Sequence, residues 1–257
     1  MNKIYLATKL IGDTYSKQIV DQNEEVSLWL LHKLKHTFGV VHDIMNIFYE
    51  EKDLYNFLTD EEREIVELSA ILHDLGRFYQ HKDGRHLLND EFDHGLEAVK
   101  ILKDIPEFNN PILLFAIGEH NRFAISYDNP YYQQLNEHDK KVADIVAKLL
   151  RDADKLENIR DFIYHGVPKR LYKFTSLEPL SENVKLAVKN KKSVLRSDMK
   201  TSSDRVADYL AWIYDINYQT TKSIVKNLGF IDSGIKFAKL SGATDEDCEL
   251  LKEYVRL

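Results

Sequence analysis

At 257 residues, with 44% hydrophobic and 30% charged types, the chain has ordinary globular composition and enough length for one substantial core. A formal charge of −7 excludes a molecule that binds nucleic acid through overall electrostatics. The single cysteine, Cys248, excludes a disulfide framework and thiolate-rich zinc or iron–sulfur chemistry, and suits a reducing cytoplasm.

The N-terminal stretch MNKIYLATKLIGDTYSKQ lacks an uninterrupted apolar run and reads as mature sequence. No segment approaches the roughly 18 apolar residues of a membrane span. From there on, apolar residues recur at helical spacing and strand alternation is absent, which gives an all-α fold. Helices are expected at about 22–49, 60–76, 90–104, 111–121 and 138–164, then at about 181–190, 203–215, 217–228, 231–240 and 245–256. Thr59 with Glu62 forms a capping box, and Gly76 reads as the close of the helix that follows. Asn110-Pro111 supplies a cap and a first-turn proline, and Thr244 with three acids starts the last helix. The stretch 165–204 has the weakest periodicity and is the expected site of a long loop or flap.

Histidines and aspartates fall on the apolar stripes of these helices. His36 shares a face with Trp29, Val40, Ile44 and Ile47, whereas His42 is turned about 240° away by the 100° helical step. His32, one turn earlier, is not separated from His36 by geometry. His73 aligns with Val66 and Ala70, and its neighbour Asp74 with Ala70 and Ile71. Adjacent residues diverge by 100° on a helix, so both reach one point only near a helix end or deep in a bundle, and Gly76 two residues later fits the first. His94 lies on a stripe with Ala98, Ile101 and Ile105, and His120 with Leu113, Ala116 and Ile117. Asp152 and Asp154 have equally apolar company, and periodicity does not choose between them.

Imidazoles and carboxylates on core faces require satisfaction, and a metal centre supplies it for all of them at once. Nitrogen and oxygen ligands without thiolate suit iron, manganese, cobalt, nickel, zinc or magnesium. The set is too large for one tetrahedral zinc with three protein ligands. Two ions sharing a carboxylate fit better, and Asp74 is the natural bridge.

Several phrases together resemble the HD-domain metal-dependent phosphohydrolase superfamily. They are H-T-x-x-V at His36, LHDLGRF at His73-Asp74, DHG at His94, EHN at His120 and DADKLENIR at Asp154. The resemblance covers about residues 25–165. It implies an HD-domain helical bundle as the metal-binding core of a single domain, with a helical C-terminal extension over about 166–257. It also implies His36, His73, Asp74 and Asp154 as core ligands, selecting Asp154 over Asp152. His94 and His120 are similar to the extra pair of the binuclear branch, and Arg77 to the basic residue three positions after its dyad aspartate. Two features depart from that pattern: Gly39 stands where a basic residue is often found, and the GYP signature of the cyclic-di-GMP branch is absent.

The expected chemistry is hydrolysis of a nucleotide or small phosphate ester by water whose pKa two divalent ions lower. Asp74 would bridge the ions. Arg77 and Lys155 would neutralise phosphate, with Asn121 and Arg122 as further substrate contacts, and Glu119 would orient a ligand imidazole. Lys185, Lys189, Lys191, Lys192, Arg196 and Lys200 make a local basic excess suited to guiding an anion. The same ligand set also fits an HD-fold di-iron oxygenase, and a non-catalytic nucleotide-binding regulator is a third reading. No membrane partner and no general nucleic-acid partner are expected, and the sequence does not specify an oligomeric state.

Overall fold

The structure, a computed structural model, describes residues 2–81, 92–166 and 176–256. All regular structure among them is helical, so the all-α expectation holds. None of these helices is long and apolar enough to cross a membrane. The chain forms two compact units, Met1–Asp154 and Lys155–Leu257.

The first unit contains α1 (Lys3–Gln18), α2 (Glu24–Glu50), α3 (Lys52–Phe57), α4 (Asp60–Leu72), α5 (His94–Leu102), α6 (Pro111–Glu119) and α7 (Pro130–Gln133). It also takes the N-terminal part of α8 (Glu137–His165). Helix α4 packs on α1, α2 and α6, around a core that includes Leu30, Leu72, Leu75, Phe78, Leu114 and Ile117. Three elements were not expected from the sequence: α1, α3 and α7. Helix α1 buries Ala7, Ile11, Thr14 and Gln18, a face whose second half is polar and gives no apolar stripe.

Helix starts follow their caps. Thr59 accepts from the Glu62 amide at 3.3 Å while Glu62 accepts from the Thr59 amide at 2.8 Å. Asn110 accepts from the amides of Ile112 and Leu113 ahead of Pro111. The end of α4 differs from expectation. The α-helix stops at Leu72, and the backbone continues as a 3-10 turn over Leu75–Tyr79.

Gly76 is therefore not a left-handed helix cap, since its φ is not positive. It permits a close approach instead: a Cβ at Gly76 would stand 2.1 Å from the His94 carbonyl oxygen and 3.0 Å from the Ala98 nitrogen. Backbone atoms cannot yield as a flexible side chain does. Gly76→Ala should cost about 1–3 kcal/mol by overpacking and push α5 outward. Urea unfolding would measure the cost, and an unchanged midpoint would contradict this packing.

The second unit contains the remainder of α8, then α9 (Glu182–Lys189), α10 (Ser202–Ala211), α11 (Gln219–Asn227), α12 (Phe230–Leu240) and α13 (Asp245–Tyr254). Phe162 stacks on Tyr209 at 4.8 Å and meets Phe230 and Phe237 edge-on. Tyr209 and Ile216 are buried, as their helical spacing suggests, and Trp212 is half-buried. The stretch 165–204 is built rather than uniformly irregular where it is described. Buried Asp204 accepts from the amides of Ser181, Lys200 and Thr201 and from the Ser181 hydroxyl, joining the segment before α9 to the start of α10. Residues 167–175 lie outside the described residues. Of the basic residues in this stretch, Lys185 is ion-paired with Glu182 and Asp247, both at 3.1 Å.

Candidate metal centre

Five helix ends or faces of the first unit deliver the candidate ligands. His73 and Asp74 leave the end of α4, where Asp74 has φ −97° and ψ 13°, a conformation outside the α-helix. That departure lets two adjacent side chains converge. His94 is the first residue of α5, and His120 is the C-cap of α6. His36 projects from α2 and Asp154 from α8.

Asp74 lies at the centre, buried to 2% exposure. Its Oδ1 faces Nε2 of His94 at 3.3 Å and of His120 at 3.8 Å. Its Oδ2 faces Nε2 of His36 and of His73, each at 3.8 Å. Each carboxylate oxygen thus serves one pair of imidazoles. Asp154 Oδ1 lies 3.0 Å from His36 Nε2, and the Nε2 atoms of His94 and His120 are 3.0 Å apart. The six residues singled out from the sequence are brought together.

Two groups within the cluster meet a metal's spacing: His36, His73 and Asp74, and Asp74, His94 and His120. In each, one ligand atom per residue lies within 4.8 Å of the others. A third group, Glu62, His138 and Asp139, lies nearer the surface, and Glu62 is already committed to the α4 capping box.

The donor set fits a divalent cation. His73 Nδ1 donates to the Ala70 carbonyl at 2.8 Å and His120 Nδ1 to the Ile117 carbonyl at 2.6 Å. A carbonyl only accepts, so the proton sits on Nδ1 and the Nε2 lone pair points into the cluster. His73 Nε2 is buried and has no hydrogen-bond partner. Such an atom is costly unless a cation takes its lone pair.

The electrostatics keep His73, Asp74, His94 and Asp154 in ligand form. Burial pushes His73 down to about 4, despite the opposing pull of Asp74. Burial, followed by the Arg77 guanidinium, holds His94 well below the ordinary histidine range. Burial would raise Asp74, but Lys33 and the surrounding imidazoles outweigh it and hold the carboxyl well below its usual range. Asp154 is likewise depressed, with His36 overcoming the effect of burial. Burial pushes the Lys33 ammonium down, opposed by Asp74.

The remaining sequence candidates have definite places. Arg77 Nε stands 3.6 Å from Asp74 Oδ1, and its Nη1 donates to Gln80 at 2.8 Å. Asn121 Nδ2 donates to Asp93 at 3.1 Å and lies 3.3 Å from His94 Nδ1, so it braces a candidate ligand. Arg122 pairs with Asp93 at 3.0 Å. Lys155 begins the second unit and pairs there with Asp215 at 2.7 Å. Glu119 accepts from the Ser126 amide and from Asn129, bracing the loop after α6 rather than a ligand imidazole. His42 is exposed and bonded to Asn46, while His32 stacks beside His36 with ring centroids 6.4 Å apart.

Two further residues, one at the centre and one behind α6, are not marked by the sequence patterns. Lys33 Nζ donates to Asp74 Oδ2 at 3.0 Å, one helical turn before His36. Its three-residue offset from His36 was the available signal. Buried Arg151 donates through Nη1 to the carbonyls of Glu119, His120 and Arg122 and through Nη2 to that of Phe123, closing the end of α6.

No curated protein and no solved structure matches the chain. Residues 34–159, which include all six candidate ligands, match the HD domain, and this segment of the chain is an HD domain.

Proposed function

We propose that this chain is a metal-dependent phosphohydrolase acting on a nucleotide or other small phosphate ester. The proposed centre is binuclear, held by His36, His73, Asp74, His94, His120 and Asp154. The observation that carries the reading is one buried carboxylate, Asp74, shared between two pairs of imidazoles. Divalent ions bound there would supply Lewis acidity towards a phosphoryl oxygen and lower the pKa of water.

The chain's own residues set the conditions for that chemistry. The Ala70 and Ile117 carbonyls fix the tautomers of His73 and His120, which leaves both Nε2 atoms as lone-pair donors. Asn121 and Asp93 hold the start of α5, and with it His94. Arg77 is partly exposed beside Asp74 and supplies the nearest guanidinium for an incoming phosphate. Arg122 acts through Asp93, and Lys155 is a second cation for phosphate in this scheme. We place the reaction in the cytoplasm, in keeping with the single buried cysteine.

The test is phosphate release from a panel of phosphomonoesters, phosphodiesters and nucleotides, run with added iron, manganese, cobalt, nickel, zinc or magnesium. An oxygen electrode follows the reduced-iron protein in parallel. Chelator-sensitive turnover of a phosphoester is the expected result. Oxygen uptake without phosphate release would replace the reading with a di-iron oxygenase, and tight nucleotide binding without turnover would replace it with a regulator. Arg77→Gln should lower kcat/KM about 100-fold with metal content unchanged. A parallel fall in metal content would make Arg77 a structural neighbour of Asp74 instead.

A further inference from the structure

Asp74 is approached by two cations, one on each oxygen, and they are held differently. Arg77 Nε lies 3.6 Å from Oδ1, and its guanidinium is anchored through Nη1 to Gln80. Lys33 Nζ donates directly to Oδ2 at 3.0 Å, with its side chain only 12% exposed. Oδ2 is also the oxygen that faces His36 and His73. A cation held by His36, His73 and Asp74 would need the lone pairs of that oxygen, and the ammonium already uses one.

An ammonium is a compact point charge on a flexible four-carbon stem, so it can be displaced by rotation about its own bonds. Next to a divalent ion it is also a like charge in a poorly solvated place, where repulsion is weakly screened. Asp74 and Asp154 are the two carboxylates of the cluster, and without a metal Lys33 is the nearest cation to the Oδ2 side. The lysine therefore occupies, electrostatically, the position that a metal would fill.

We propose that Lys33 is a tethered counter-cation that competes with metal for Asp74 Oδ2 and so weakens binding on the His36–His73 side of the centre. The inference rests on the metal-centre reading above. It adds a residue that no ligand pattern contains, and it predicts that removing a nearby polar group improves metal binding.

The experiment is titration of chelator-treated, metal-free protein with Mn2+ alone, read by calorimetry and by the paramagnetic signal of free ion. Lys33→Met should bind Mn2+ about tenfold tighter or more, a size typical of removing one charge beside another at low solvent exposure. Lys33→Arg, which keeps the charge, should bind as the wild type does. The gain should persist in a His94→Ala background, which leaves the His36–His73 side intact, and should shrink in a His36→Ala background. Mn2+ should also raise the thermal midpoint of Lys33→Met more than that of wild type. Lys33→Gln serves the same comparison if the methionine variant does not fold. Unchanged or weaker Mn2+ binding in both neutral variants, with wild type binding normally, overturns the competition but leaves the metal centre standing. Failure of wild type itself to bind Mn2+ removes the centre and the competition together.

Discussion

Asp74→Asn protein should leave purification with less than about a tenth of the wild-type metal, and its phosphohydrolase activity should fall about 1000-fold or more. The substitution keeps the shape of the side chain and removes its charge and one of its two carboxylate oxygens. Each oxygen of Asp74 faces a different pair of imidazoles, so one substitution weakens both sides of the centre. His36→Ala or His120→Ala should instead spare the opposite side and leave partial metal content. Elemental analysis of the three variants beside wild type separates these outcomes. Full metal content in Asp74→Asn would remove the bridging role.

The second large effect is expected far from any ligand pattern. Arg151→Met should lower stability by about 3 kcal/mol or more, or roughly 6–12 °C in thermal midpoint for a chain of this size. Its guanidinium is the buried donor to four carbonyls at and beyond the end of α6, where helix geometry leaves carbonyls without partners. Methionine fills much of the same space and donates nothing. Because His120 is the C-cap of that helix, metal affinity should fall along with stability. A thermal melt of metal-free protein checks the first effect and Mn2+ titration the second. A midpoint within about 1 °C of wild type would show that those carbonyls find other donors.

Much of the helical framework was legible because its caps and stripes are local. Thr59 with Glu62, Asn110 with Pro111, and Thr244 with Asp247 mark helix starts that the structure reproduces. Helix α1 was not legible, since Thr14 and Gln18 occupy positions on its buried face where a stripe needs aliphatic residues. The end of α4 was misplaced because Gly76 suggests a left-handed cap. Its actual role, a close approach to the His94 carbonyl, depends on a partner about eighteen residues away in sequence.

The grouping of His36, His73, Asp74, His94 and His120 came from polar residues on apolar stripes, that of Asp154 from the family resemblance, and the fold brings those side chains together. Periodicity leaves Asp152 and Asp154 equal, because both have apolar company at helical spacing on one helix. The family resemblance selects Asp154, and the structure sets its Oδ1 3.0 Å from His36 Nε2. Lys33 and Arg151 escaped notice for a related reason. A lysine or arginine within a charged helical stretch has the same local signature whether it meets water or a buried acceptor. Asn121, Arg122 and Glu119 flank His120 and suggest ligand contacts by sequence proximity. In the structure Asn121 meets Asp93 and His94, Arg122 pairs with Asp93, and Glu119 holds the loop after α6.

The metal content of wild-type protein, purified without added metals or chelators and quantified per chain, bears most directly on the proposed centre. About one to two transition-metal ions per chain are expected, lost on chelation and regained with Mn2+ or Fe2+ alongside phosphoester turnover. A chain that stays metal-free under both ions, while keeping its helical content, would contradict the centre and the hydrolysis built on it.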